Sequence, residues 1–161
     1  MSSIATAVGL LSSGLASGLA LSYPVVVNPL FLSKSEALNG GSDAHRLNIW
    51  HAAYKRGFAS IPSLATVAAT LLSLGNYYSG TASAYRYIAA GLHFSIIPFT
   101  GLFMLSTVFR LEHLDDTRGA DAAPGEVDSL LPKWANLHLV RVALTVSAFG
   151  LVVADTFGLL A

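Results

Sequence analysis

Three stretches of this chain contain no Lys, Arg, Asp or Glu: residues 1–33, 57–84 and 87–109. Each meets or exceeds the roughly 20 residues that an α-helix needs to cross a hydrocarbon core of about 30 Å. A fourth stretch, from Trp134 to Ala161, qualifies once His138 and Arg141 stand at its interfacial end. Backbone polar groups in lipid must satisfy one another, so spans of this kind are helical. The expected fold is therefore all-α, a membrane-embedded four-helix bundle forming one domain over residues 1–161. Its helices should occupy about 3–32, 43–74, 84–110 and 133–160. A very apolar soluble bundle is the alternative, but it would need a polar face on each helix. Residues 59–74 and 89–105 offer chiefly scattered Ser and Thr.

Composition narrows the functions available. Charged residues make up 11%, less than half the roughly 25% of soluble domains, and mean hydropathy is +0.60. Nine basic and nine acidic residues cancel, so no global field favours nucleic acid. The absence of Cys removes disulfides, thiolate nucleophiles and thiolate metal sites. The first segment lacks the basic start of a secretory signal and is expected to be a retained helix. Gly9, Gly14 and Gly18 recur along it with Ser12, Ser13 and Ser17, a small-residue pattern that lets helices approach closely. That surface serves either a homo-oligomer or packing within one protomer. Pro24 and Pro29 are expected to end or kink this helix.

Between the spans lie a polar connector at 34–44, with Gly40-Gly41 as its turn, and a short loop at 75–83. An acidic connection at 111–132 reads as a mobile surface loop with a short helix at 127–131. Ser42 or Asp43 should cap the second helix. Both connectors fall on one side of the bundle with every Lys and Arg except Arg86, so the positive-inside rule places them in the cytosol. The lipid bilayer is the one partner that the sequence demands.

Candidate chemistry gathers at the connector ends. Trp134, His138 and Arg141 stand at i, i+4 and i+7, which in a helix puts them on one stripe. Charged groups in a membrane helix are costly facing lipid and usually face a bundle interior or cavity. Trp50, His51, Tyr54 and Arg56 open the second helix similarly, and Arg110 closes the third. These residues are expected to converge on a polar pocket at one end of the bundle, roofed by residues 111–132. Blander roles stand beside this one. Trp50, Trp134 and Tyr54 could be interfacial anchors, Lys55 and Arg56 could snorkel to headgroups, and His93 could be an interhelical hydrogen-bonder. His45 and His113 read as solvated. Metal ligation is poorly signalled, since His51, His93 and His138 come from three helices without a Glu-x-x-His pair. Haem or another metal stays open. No phosphate loop or hydrolase elbow occurs.

Trp50-x-x-x-Tyr54-x-Arg56-Gly57, Ile97-Pro98-Phe99-Thr100 and Trp134-x-x-x-His138-x-x-Arg141 follow in order across the hydrophobic segments. This arrangement resembles the anthrone-oxygenase-like family of small membrane proteins, which includes fungal noranthrone monooxygenases. A Pro-x-Asn element expected in the family soon after the Pro-Phe-Thr of helix three is replaced here by Ser106-Thr107-Val108. The resemblance implies a cofactor-independent oxygenation, with O2 as co-substrate, of an apolar polycyclic aromatic anthrone to a quinone. It implies His138 or His51 as base and Arg141, with Arg56, as oxyanion stabiliser. Trp50, Trp134 and Tyr54 would stack the rings, with Thr100 and Arg110 also at the substrate. Two competing readings remain, a non-catalytic membrane scaffold or binder and a haem- or metal-dependent oxidoreductase. A transporter is disfavoured because no acid sits at mid-membrane.

Overall fold

The computed structural model describes residues 2–35, 42–80 and 82–160, and every regular element among them is helical. Four long helices are apolar enough to cross a membrane: α1 (Ser3–Leu32), α2 (Asp43–Tyr77), α3 (Ala84–Asp116) and α4 (Glu126–Thr156). Consecutive helices run antiparallel in a square, α1 and α3 each packing against both α2 and α4. Large side chains such as Leu11, Val25, Leu102, Phe103 and Phe109 point outward from the square. An exterior of this kind suits lipid, and the chain is a multi-pass membrane protein. The Gly40-Gly41 turn lies outside the described residues.

Pro24 and Pro29, expected to end or kink the first helix, both lie within it, and Pro62, Pro98 and Pro132 are likewise absorbed within helices. Pro24 falls inside α1, where the backbone passes through a π-turn at Tyr23–Val27 and resumes as α-helix to Leu32. Pro98 precedes a second π-turn, Thr100–Met104, in α3. Such bulges insert one extra residue per turn and often mark functional positions.

The connector side differs most from expectation. The third helix continues to Asp116 and the fourth begins at Glu126, so the expected 111–132 loop shrinks to residues 117–125. Leu111, Leu114, Val127 and Leu131 are almost wholly buried there. Their helical spacing carries both helices past the apolar spans, and four of the acids that resemble loop signals, Asp115, Asp121, Glu126 and Asp128, are ion-pair partners. At about 1.5 Å per residue, helices of 31–35 residues outrun a core of about 30 Å. Their surplus forms a polar cap on the connector side.

That cap is clasped between helices. The Arg46 side chain is only 4% exposed and bonds Asp43 at 2.9 Å and Asp128 at 2.8 Å. Its Nε also donates to the Phe31 carbonyl at 2.9 Å, and Lys34 shares Asp128 at 2.7 Å. Beneath it, Trp50 and Trp134 pack edge to face, 5.9 Å apart, both at most 1% exposed. They are core residues here, not interfacial anchors. At the opposite end Arg86 pairs with Asp155 at 2.6 Å, and Ser83 donates to the same carboxylate. Along the middle, Gly9 admits Leu72 and Gly14 admits Phe149. Ser13 hydrogen-bonds His93 at 2.8 Å, and Ser17 donates to the Thr145 carbonyl at 2.9 Å.

Candidate active site

His138 is set in place by a proline on another helix. Pro24 has no N–H to offer the carbonyl four residues earlier, that of Ala20. The freed Ala20 oxygen accepts a hydrogen bond from His138 Nε2 at 3.3 Å. A carbonyl only accepts, so the proton is on Nε2 and the lone pair on Nδ1. Nδ1 is buried without a partner. The ring lies against Trp134, centroids 5.3 Å apart and nearly parallel, and against Tyr23 at 4.6 Å. Imidazole orientation is thus fixed on three sides.

Arg141 lies one turn further along α4, 5% exposed. Among the described residues every ion pair lies elsewhere, and its Nε has no hydrogen-bond partner. The phenols of Tyr23 and Tyr54 are its electrostatic neighbours. A buried guanidinium without a carboxylate is expensive to keep, and it offers an unspent positive charge to an incoming oxygen anion. Tyr54 is backed by Trp50, stacked within 5° at 5.2 Å.

Tyr23, Tyr54, Gly57, Phe58, Ile61, Trp134, His138 and Arg141 line a void of only about 10 Å³, barely the volume one water needs. Two larger clefts flank it. One of about 240 Å³ opens between α1 and α2, lined by Ser22, Tyr23, Arg56, Gly57 and Ser60 among others. Another of about 400 Å³ is lined by Phe58, Pro62, Ile97, Thr100, Gly101, Leu105 and Arg141. Arg141 and Phe58 belong to both the central void and the larger cleft.

The expected convergence is therefore partly realised, and in a different place. His138, Arg141, Tyr54 and Trp134 meet. Arg56 is exposed and lines the smaller cleft, while Thr100 lines the larger with a buried, unpartnered hydroxyl. Trp50 supports Tyr54 from behind. His51 belongs to the cap, where Nδ1 pairs with Asp115 and Nε2 is buried without a partner. Arg110 is gripped by Glu126 at 2.7 and 2.9 Å and lines neither the void nor the flanking clefts. Residues 111–132 do not line the void, which is closed on that side by Trp134 with Trp50 packed against it. Since α4 begins at Glu126, His138 and Arg141 stand about 18 and 23 Å along it by helical rise, deeper than the one to two turns expected. Tyr23 and Asp115 escaped sequence reasoning. Tyr23 stands immediately before Pro24, in a span whose other aromatic is Phe31. Among the described residues no three His, Asp or Glu gather as a metal-ligand cluster.

A family model described as anthrone oxygenase matches residues 50–151. That range contains His138, Arg141, Tyr54, Thr100 and both tryptophans, and leaves Tyr23 outside it. Neither a curated protein nor a solved structure matches the chain.

Proposed function

Because the chain belongs to the anthrone oxygenase family, we propose that it is a membrane-bound oxygenase. It oxidises an anthrone-type polycyclic aromatic polyketide to the quinone with O2, using no metal or organic cofactor. The observation that carries this reading is the unpaired, buried Arg141 beside a histidine whose Nδ1 lone pair is free.

An anthrone methylene flanked by two aryl rings is acidic for a carbon acid, and its conjugate base is electron-rich enough to reduce O2. His138 Nδ1 takes one methylene proton, in the manner of a general base. The negative charge moves to the carbonyl oxygen, where Arg141 stabilises it in surroundings that exclude water. The carbanion passes electrons to O2 and forms a C–O bond, giving a peroxide anion that the imidazolium protonates. Loss of the second methylene proton with cleavage of the O–O bond leaves the new carbonyl. One anthrone and one O2 yield one quinone and one water. Tyr54 and Trp134 wall the void in which the reacting atoms meet His138 and Arg141, and both connectors face the cytosol.

The test is conversion of emodin anthrone by purified protein in nanodiscs under air, with spontaneous oxidation subtracted. Quinone formation above background by wild type, and its loss in His138→Ala, is the expected result. A Soret band, or copper or iron bound in stoichiometric amount, would overturn the cofactor-free part.

A further inference from the structure

The central void cannot contain a three-ring molecule, so the ring system must rest elsewhere while its oxygen meets Arg141. We infer that the cleft lined by Phe58, Pro62, Ile97, Thr100, Gly101 and Leu105 is the binding site for a flat apolar ring ligand carrying an oxygen anion or carbonyl, which enters sideways from the bilayer. This inference rests on the proposed function for the identity of its ligand, while the site itself stands on the geometry below.

Size comes first. At about 400 Å³ the cleft falls in the roughly 300–1,000 Å³ range of small-molecule sites. Two other clefts are as large, but their linings differ. One, of about 430 Å³, is walled only by apolar residues and Gly14 of α1 and α4. Another, of about 400 Å³, lies at the opposite end beside Arg86, whose charge Asp155 already meets at 2.6 Å. Only the α2–α3 cleft, of these three, ends on an unpaired cation.

Its construction also suits a ligand. Pro98 and the π-turn Thr100–Met104 interrupt the regular ladder of α3 at the cleft wall. Within that turn Thr100 keeps a buried hydroxyl without a partner, a donor available to a ring carbonyl or phenol. The next residue is Gly101, and a Cβ placed there would meet no atom within 4 Å. The missing side chain is therefore open space in the cleft. Phe58, 54% exposed, and Ile97, 51% exposed, present apolar surface at its margin.

The lining argues against a phospholipid headgroup as the occupant. Apart from Arg141 and the Thr100 hydroxyl, the cleft is walled by Phe58, Pro62, Ile97, Gly101 and Leu105, which suits a flat apolar molecule with one oxygen better than a multiply hydrogen-bonding phosphate.

A Cβ added at Gly101 meets no atom within 4 Å, so Gly101→Leu starts from open space in the cleft; Gly150→Leu is its control, since Gly150 also has no atom within 4 Å of an added Cβ and lines none of the clefts described. Binding of 1,8-dihydroxyanthrone to nanodisc-embedded protein under nitrogen, followed by quenching of tryptophan fluorescence, needs no turnover. The expected result is a Kd raised tenfold or more in Gly101→Leu, with Gly150→Leu at the wild-type value. Equal Kd in wild type and Gly101→Leu overturns the inference. So does loss of wild-type binding when phosphatidylglycerol replaces phosphatidylcholine, because the cleft would then hold lipid. The two proposals fail separately. Oxidation in air that persists in Gly101→Leu with unchanged KM removes the cleft and leaves the oxygenase. Cleft-dependent binding with no oxidation by wild type removes the oxygenase and leaves the cleft.

Discussion

The hydroxyl of Tyr23 lies where a side chain on Gly57 would have to be: a Cβ there would stand 2.1 Å from it. The same hydroxyl donates to the Ala53 carbonyl at 2.7 Å, so α1 is pinned to α2 beside His138. The π-turn in α1 aims Tyr23 at this contact, and the glycine on α2 makes room for it.

Gly57→Ala should consequently displace Tyr23 from the His138 ring. Overpacking of this kind costs about 1–3 kcal/mol, visible as a lower unfolding temperature in detergent. Turnover should fall as well. Tyr23→Ala in the Gly57→Ala background should recover stability relative to the single glycine variant. Destabilisations that simply add would show that the two residues are not in contact.

Arg141→Met should behave oppositely in stability and activity. Removing a buried cation that has no carboxylate partner relieves a desolvation cost, so the variant should be at least as heat-resistant as wild type. Loss of one electrostatic stabiliser of a developing oxyanion typically lowers kcat by about 10²–10³-fold. A variant that unfolds readily would identify Arg141 as a structural residue.

Within the cap, the clasp residues should rank by burial. Asp128→Asn strips a partner from Arg46, whose side chain is 4% exposed, whereas Lys34, at 70%, makes a surface pair worth about 0–1 kcal/mol. Thermal unfolding should therefore drop more for Asp128→Asn than for Lys34→Met. Equal drops would place the cap's stability in its apolar packing.

The four spans were legible because absence of charge over 20 or more residues is a physical requirement of lipid. His138 and Arg141 were legible for the related reason that polar groups in such a span must find an interior. Helix ends were not, since Glu126 and Asp128 look like loop residues until Arg110 and Arg46 are seen to bind them. Tyr23 was hidden by Pro24, which signals termination in a sequence and here yields a π-turn and a spare carbonyl. The separation of His51 from His138 was hidden too. Both are histidines a few turns into a helix, and only the packing sends one to Asp115 in the cap and the other to the void.

His138→Gln keeps an amide able to donate to the Ala20 carbonyl but lacks a basic nitrogen. It should fold normally and lose turnover by about 10²–10⁴-fold, the usual worth of a general base. His51→Gln should retain most turnover, since His51 lines neither the void nor the clefts beside it. The reverse pattern would move the base to the His51–Asp115 pair.

Proton abstraction can be observed apart from oxygen chemistry. With emodin anthrone in D2O under strict exclusion of O2, NMR follows replacement of the methylene hydrogens by deuterium. Wild-type protein should accelerate this exchange well above the buffer rate, with His138→Gln and Arg141→Met both close to that rate. Wild-type exchange no faster than buffer, or undiminished exchange in His138→Gln, would contradict His138 and Arg141 acting together as base and oxyanion stabiliser.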